Sequence, residues 1–312
     1  MAEPLYLKLY RDGELSNRLK ALLKLMESCR LCPRKCGVNR LDGETGFCDT
    51  GRKARIASYN AHFGEEGPLV GTHGSGTIFL SGCNLRCSFC QNYDISHLGE
   101  GVVVEPEQMA AMMIHLAERG CHNINFVTPS HVVPQIIEAL IPAIEQGLAV
   151  PLVYNSSGYD SRETLTLLDG IFDIYMPDFK FWDDKWSERF CNAADYRDAA
   201  VGAIKEMHRQ VGDLTVDDNG IALRGLLVRH LVMPNDVAGS DKIMAFLAKE
   251  ISLNTYLNVM DQYRPCGTAD EDDFIRSRLT AEEYRTAVDA ARKSGLTRLD
   301  PRVRLRSCLD GR

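Results

Sequence analysis

Three cysteines, Cys83, Cys87 and Cys90, fall within eight positions of the stretch FLSGCNLRCSFCQNYD, residues 79–94. A C-x3-C-x2-C loop of this length can wrap a four-iron cubane corner by corner, and three thiolates leave one iron without a ligand from the chain. An open coordination position is a place for chemistry, by the logic that separates catalytic from structural zinc. A zinc loop would need a fourth ligand nearby, for which His97 is the local histidine. Upstream, Cys29, Cys32, Cys36 and Cys48 are spaced C-x2-C-x3-C-x11-C, a set of four thiols that closes a tetrahedral site. Zinc and a second [4Fe-4S] cluster both accept four thiolates. Iron at this place could relay electrons to the first cluster; zinc would brace a module too small to own a core. Cys121, Cys191, Cys266 and Cys308 are isolated and read as buried structural thiols, with Cys266 in QYRPCG close enough to the last strand to approach a reactive face.

Bulk composition narrows the setting. The 312 residues are 45% hydrophobic, enough for a large core, and 43 acids against 36 basic residues give a net charge of -7. That balance argues against a global phosphate-binding surface, so no nucleic acid partner is expected. The N-terminus MAEPLYLKLYRDGEL has neither secretory nor transit character, and no run of 18 apolar residues occurs, which predicts a cytoplasmic protein without a membrane partner. Eleven cysteines, an odd number and tightly clustered, suit metal binding in a reducing compartment better than a disulfide framework.

The elements that must position these residues are legible from periodicity. Residues 77–82, 123–129, 149–158, 170–180, 223–234 and 254–263 read as buried strands. Helical patterns lie between them: residues 105–119 with Pro106 at the start and Gly120 past the end, residues 160–169 with a capping box from Asp160 to Glu163, and a box from Thr280 to Glu283. Strand and helix alternating in this way predict a parallel sheet closing into a partial or full α/β barrel, with its reactive face at the C-terminal strand ends. Cys83 falls just past the first of these strands, and Gly82 permits the sharp turn. Residues 1–70, with an amphipathic helix (Leu15, Leu19, Leu22, Leu23, Met26) and four cysteines, are expected as a metal module; residues 71–265 form the barrel, and residues 266–312 a helical extension packed on it. GTHGSG (71–76) precedes a strand instead of joining strand to helix, which excludes a Rossmann loop.

The cysteine loop with Phe89 resembles the radical S-adenosylmethionine (SAM) superfamily, whose signature is C-x3-C-x-aromatic-C. With GTIFLSGCNLRCSFCQNYDIS, VYNSSGY and DIYMPDFK, most of the chain is similar to the branch of pyruvate formate-lyase activating enzymes, in a form with the cysteine-rich N-terminus CRLCPRKCGVNR. The resemblance implies a partial (β/α)6 radical SAM barrel and a [4Fe-4S] cluster on Cys83, Cys87 and Cys90. SAM would chelate the open iron and be cleaved by one electron to methionine and a 5'-deoxyadenosyl radical. It implies Phe89, Asn155, Ser157, Asp178, Lys180 and Arg229 as cofactor-binding residues, and a reducing donor such as flavodoxin or ferredoxin. Asp178 and Lys180, two apart on a strand, point to one side, where a carboxylate suits ribose hydroxyls and an ammonium a carboxylate. The family's Gly-Gly-Glu is replaced here by FVTPSH, so Thr128, Ser130 or His131 is expected to meet the methionyl amine. The substrate implied is a glycine of a partner protein; a small molecule or peptide is the alternative, and a non-catalytic iron-sulfur or zinc scaffold the alternative of another class.

Overall fold

The structure, a computed structural model, describes residues 3–301. Its strands are β1 (Arg55–His62), β2 (Ser75–Leu80), β3 (Val102–Val103), β4 (Ile124–Val127), β5 (Leu152–Ser156), β6 (Ile174–Pro177), β7 (Thr215–Val216), β8 (Ala222–Leu231) and β9 (Tyr256–Met260). Its helices are α1 (Leu5–Arg11), α2 (Glu14–Glu27), α3 (Gly67–Val70), α4 (Tyr93–Ser96), α5 (Pro106–Glu118), α6 (Val133–Glu145), α7 (Arg162–Leu167), α8 (Asp184–Cys191), α9 (Tyr196–Val211), α10 (Ser240–Phe246) and α11 (Ala281–Lys293).

The six β-rich runs become β2, β4, β5, β6, β8 and β9, hydrogen-bonded in that order and parallel throughout. The fold is therefore the expected α/β partial barrel, an open sheet with helices over its outer face. Such strands are buried on both sides, which is why they read as apolar runs and not as an alternation. β4, β5 and β6 leave hardly a residue exposed. On the far edge β1 pairs antiparallel with β2, and the short β3 pairs with β1. β1 lies within residues 1–70, yet it is part of the sheet.

Local signals hold at two helices and fail at one. Glu105 and Gln108 cap α5 reciprocally, and Thr280 and Glu283 do the same for α11; a cap of this kind is worth about 1 kcal/mol. The box expected at Asp160 does not form. α7 starts after Ser161, and the Asp160 carboxylate instead accepts from Tyr154 Oη at 2.8 Å and Ser156 Oγ at 2.6 Å. Buried hydroxyls with no water must find an acceptor, and this demand outranks an optional cap. α2 buries Leu15, Leu22, Leu25 and Met26, so Leu25 takes the core place expected of Leu23; the helix packs on α6 and α7.

After β1 the chain turns into the barrel. Leu69 of α3 is fully buried with Val153, Ile174, Met176, Leu227 and Tyr256, from four barrel strands. Asn123 Nδ2 donates to Leu69 O at 2.9 Å and Asn258 Nδ2 to Glu66 Oε1 at 2.7 Å, which fixes the segment in the barrel interior. Among the described residues no helix is long and apolar enough to cross a membrane.

Candidate active site

β2 ends at Leu80, and the chain reverses at Gly82, whose φ is +81°. A Cβ here would lie 2.5 Å from Cys48 O, so close an approach of two backbones admits only glycine. The loop that follows is built around its sulfurs. Leu85 N and Arg86 N donate to Cys83 Sγ at 3.3 and 3.4 Å, and Ser96 Oγ donates to Cys90 Sγ at 3.2 Å. Arg86, held at φ +50°, sends its guanidinium to Phe47 O and His97 O. Cys87 stands beside Cys191, the last residue of α8. Phe89 is buried edge-on against Phe181 and Phe190, anchoring the loop in the core.

Cys83, Cys87 and Cys90 line one cavity of about 430 Å³ together with Phe89, Thr128 and residues from the ends of β5, β6 and β8. That volume is within the range for a cofactor-sized ligand. Asn155, Ser157, Asp178, Lys180 and Arg229 all reach it. Asp178 accepts from Lys180 Nζ at 2.6 Å and from Arg229 Nε at 2.7 Å, while Arg229 Nη2 donates to Asn155 Oδ1 at 2.6 Å. The array is buried, its three charged side chains being 12–17% exposed, which separates it from a surface ion pair. Gly158, at φ +75°, lets the turn after β5 come against Asp178 O, where a Cβ would stand at 2.3 Å. Tyr196 Oη accepts from Lys180 N at 2.8 Å and bonds the carbonyls of Ser157 and Asp178, tying the two strand ends together. Ser157 Oγ is buried and has no partner.

The charges follow from this arrangement. Burial alone would raise Asp178, but Arg229 and then Lys180 beside it hold its carboxyl below the usual value. Burial would lower Lys180, and Asp178 and Cys87 hold it up instead. Burial pushes the Cys83 thiol up to about 12, with Cys87 adding to it. Cys87 is raised by the neighbouring Cys191 thiol and then by burial, and Cys90 by burial. Loading a metal on these sulfurs therefore releases protons.

Glu65 and His62 line the cavity without having carried a signal in the sequence. Glu65, brought in by the segment after β1, stands 3.5 Å from Arg229 Nη1 and 3.6 Å from His62 Nδ1. Burial raises its carboxyl, and Arg229 offsets part of the rise. His131, by contrast, is outside the cavity lining: it is 1% exposed and its Nε2 bonds Ser81 O at 2.9 Å. Burial lowers its pKa to about 4, so the ring is neutral and supports the turn into Gly82. Ser130 is likewise outside the lining, whereas Thr128, at φ +63°, is part of it.

Cys29, Cys32 and Cys48 are buried and Cys36 is exposed. They stand close enough that Cys48, Cys29 and Cys36 each add to the burial that pushes Cys32 up to about 12. Among the described residues no three His, Cys, Asp or Glu side chains meet at a point that one metal ion could occupy. Cys266 does not line the cavity, Cys121 is buried, and Cys308 lies outside the described residues.

The family model of the Radical SAM superfamily matches residues 77–233, the span from β2 to the end of β8. The chain belongs to the radical SAM superfamily. Membership implies a [4Fe-4S] cluster and SAM as cofactors. Uncharacterized protein MJ0674 of Methanocaldococcus jannaschii is 33% identical over 298 residues, covering 93% of this chain and 82% of its own. A second protein of that organism, Uncharacterized protein MJ0808, is 26% identical over 156 residues, 45% of this chain and 46% of its own. Among solved structures, a radical SAM methyltransferase from Sphaerobacter thermophilus superposes with a TM-score of 0.47 at 14% identity, over 70% of this chain and 64% of that one.

Proposed function

We propose that this radical SAM protein is an enzyme that uses Cys83, Cys87 and Cys90 to hold its [4Fe-4S] cluster and abstracts a hydrogen atom from a substrate in the barrel mouth. The observation that supports this reading best is the sharing of one cavity by the three thiols and the buried Asp178–Lys180–Arg229 array. With SAM on its open iron, such a cluster supplies the electron that cleaves the sulfonium and yields the 5'-deoxyadenosyl radical. The residues present fit both groups. Backbone N–H and hydroxyl donors already point at Cys83 and Cys90, and Ser157 Oγ, unpartnered at the cavity wall, lacks the acceptor or donor that a ribose hydroxyl would provide.

The chain's own side chains divide the work. Lys180 presents an ammonium to the methionyl carboxylate, and Asp178 a carboxylate to ribose hydroxyls, each held at its charge by the other. Arg229, itself held by Asn155, fixes the Asp178 carboxylate. Phe89 fills the space behind the loop and keeps water from the reacting atoms. Thr128 is the cavity residue nearest in sequence to the missing Gly-Gly-Glu, and Glu65 adds a carboxylate able to accept from an amine or a substrate amide.

For the substrate we carry forward a glycine α-hydrogen of a partner polypeptide, on the strength of the resemblance to activating enzymes, with flavodoxin or ferredoxin as reductant. Anaerobic incubation with SAM, a reductant and a candidate polypeptide deuterated at glycine tests both levels. Deuterium in 5'-deoxyadenosine supports the full reading. Formation of 5'-deoxyadenosine with deuterium arriving only from a labelled metabolite moves the assignment to a small molecule, and no 5'-deoxyadenosine at all from cluster-loaded protein leaves only a scaffold.

A further inference from the structure

Arg40, in the loop between Cys36 and Cys48, is 1% exposed. Its Nη1 donates to His131 O at 2.7 Å and lies 4.0 Å from Cys29 Sγ; Nε and Nη2 donate to Gly51 O at 3.2 and 3.0 Å. None of these partners is a carboxylate. A guanidinium buried among neutral groups is costly unless an anion stands close by. Four thiolates around a [4Fe-4S] cluster in its oxidised state carry a net charge of -2, and so do four around zinc, so a loaded site supplies the missing anion. Phe47 N, 3.5 Å from Cys36 Sγ, adds a backbone donor of the kind that sets a cluster's potential.

The position of the site favours iron. The Cys48 carbonyl and Thr50 Oγ1 pack against Gly82, where a Cβ would meet them at 2.5 and 2.9 Å, one residue before Cys83. Arg34, between Cys32 and Cys36, donates through Nε to Asn84 O at 2.8 Å and through Nη2 to Cys191 O at 2.7 Å. Its guanidinium stacks 3.7 Å from the centre of the Phe47 ring, and Arg86 of the catalytic loop donates to Phe47 O at 3.2 Å. The two cysteine loops thus contact one another directly from both sides. A zinc brace has little to do here, because Leu15, Leu22, Leu25, Met26 and Leu31 already sit in the same apolar core as the barrel. Cys36 is exposed, which turns one edge of the site toward solvent and an incoming donor.

We propose that Cys29, Cys32, Cys36 and Cys48 hold a second [4Fe-4S] cluster, charge-compensated by Arg40, that accepts single electrons from a flavodoxin- or ferredoxin-class protein and passes them to the cluster on Cys83, Cys87 and Cys90. Each transfer moves one electron: the donor is oxidised by one, and the N-terminal cluster goes from its 2+ to its 1+ state and returns as the catalytic cluster is reduced. No bond forms or breaks. The acceptor half of the proposal rests on the catalytic reading above; the second cluster does not.

The test uses the full chain, reconstituted anaerobically. Wild type is expected to carry about eight irons, about four per cluster. Cys83→Ala/Cys87→Ala/Cys90→Ala should keep about half of the iron, with a reduced-state EPR signal that ignores SAM, and this variant reports on the N-terminal site even if the catalytic assignment fails. Cys32→Ala/Cys48→Ala should keep a SAM-responsive signal that dithionite still generates, while reduced flavodoxin generates it at least tenfold more slowly than in wild type. Arg40→Met should lower the midpoint potential of the N-terminal cluster by about 59 mV or more, a tenfold change for one electron, and Arg40→Lys, which keeps the charge and serves if the Met variant does not fold, should retain most of it. One zinc and no iron in the triple variant would overturn the second cluster, and an unchanged flavodoxin reduction rate in Cys32→Ala/Cys48→Ala would overturn the relay.

Discussion

Asp178→Asn isolates the charge array on which cofactor binding depends. In the wild-type protein the buried Asp178 accepts 2.6 Å and 2.7 Å hydrogen bonds from Lys180 and Arg229. Asp178 is the carboxylate that Lys180 pairs with, whereas Arg229 also faces Glu66 and Glu65, the latter at 3.5 Å, so an amide at 178 leaves the Lys180 ammonium without its partner. Breaking a buried pair from one side costs about 3–5 kcal/mol, because an uncompensated charge stays behind. The Asn oxygen keeps one of the two bonds, so the lower end, about 3 kcal/mol, is expected. The assay is urea unfolding of the full chain prepared without iron, followed by tryptophan fluorescence at an unchanged m-value. Adding Lys180→Met to Asp178→Asn removes the orphaned ammonium, so the double variant should recover stability relative to the sum, with a coupling of about 1–3 kcal/mol. The sign with pH is also fixed. Asp178 is depressed by its partners, so its contribution is present above its ordinary pKa and is lost only as pH falls through the lower folded value; the cost of Asp178→Asn should therefore be flat from roughly pH 5 to 8. A loss below about 1 kcal/mol, or strict additivity, would mean that the array behaves like a solvated ion pair and the reasoning is wrong.

Other perturbations follow from single contacts. Gly82→Ala forces a left-handed residue and a Cβ 2.5 Å from Cys48 O; iron content at the catalytic cysteines should fall and stability drop by about 2 kcal/mol or more, whereas normal loading would show that the two loops are not in contact. Tyr196→Phe strips the acceptor from Lys180 N and should cost about 1–3 kcal/mol in the same unfolding assay. His230, bonded to Phe179 O and Ser240 Oγ, is lowered by burial to about 4 from an ordinary 6.5. Its neutral form is the folded one, so stability is full above 6.5 and declines by about 3 kcal/mol as pH falls toward 4; His230→Gln should flatten that decline, and an unaltered pH profile would count against it.

Six parallel strands could be read from the sequence because strands buried on both faces are continuous apolar runs, and the Thr280–Glu283 cap because its partners are three residues apart; at α5 only the bracketing Pro106 and Gly120 were legible, not the reciprocal bonds of Glu105 and Gln108. The cysteine loops were readable for the same reason: spacing is local. What escaped was set by where the folded chain brings side chains together. Nothing in RIASYNAH marks a strand, since β1 is an edge whose residues 58–60 are exposed. Glu65 looks like any loop carboxylate until the chain after β1 turns inward and places it under Arg229, and Asp160 looks like a cap until Tyr154 and Ser156 claim it. His131 stood where a cofactor contact was expected, but its neighbours Ser81 O and Arg40 draw it to the back of the loop.

The proposed chemistry needs one open iron at which SAM is bound and split. EPR of the anaerobically reduced protein, recorded before and after SAM is added and paired with chromatography of the quenched sample, tests it most directly. The signal retained in Cys32→Ala/Cys48→Ala should change on adding SAM, and 5'-deoxyadenosine and methionine should appear in equal amounts. A reduced cluster on Cys83, Cys87 and Cys90 whose signal is indifferent to SAM, with neither product formed, would contradict the account.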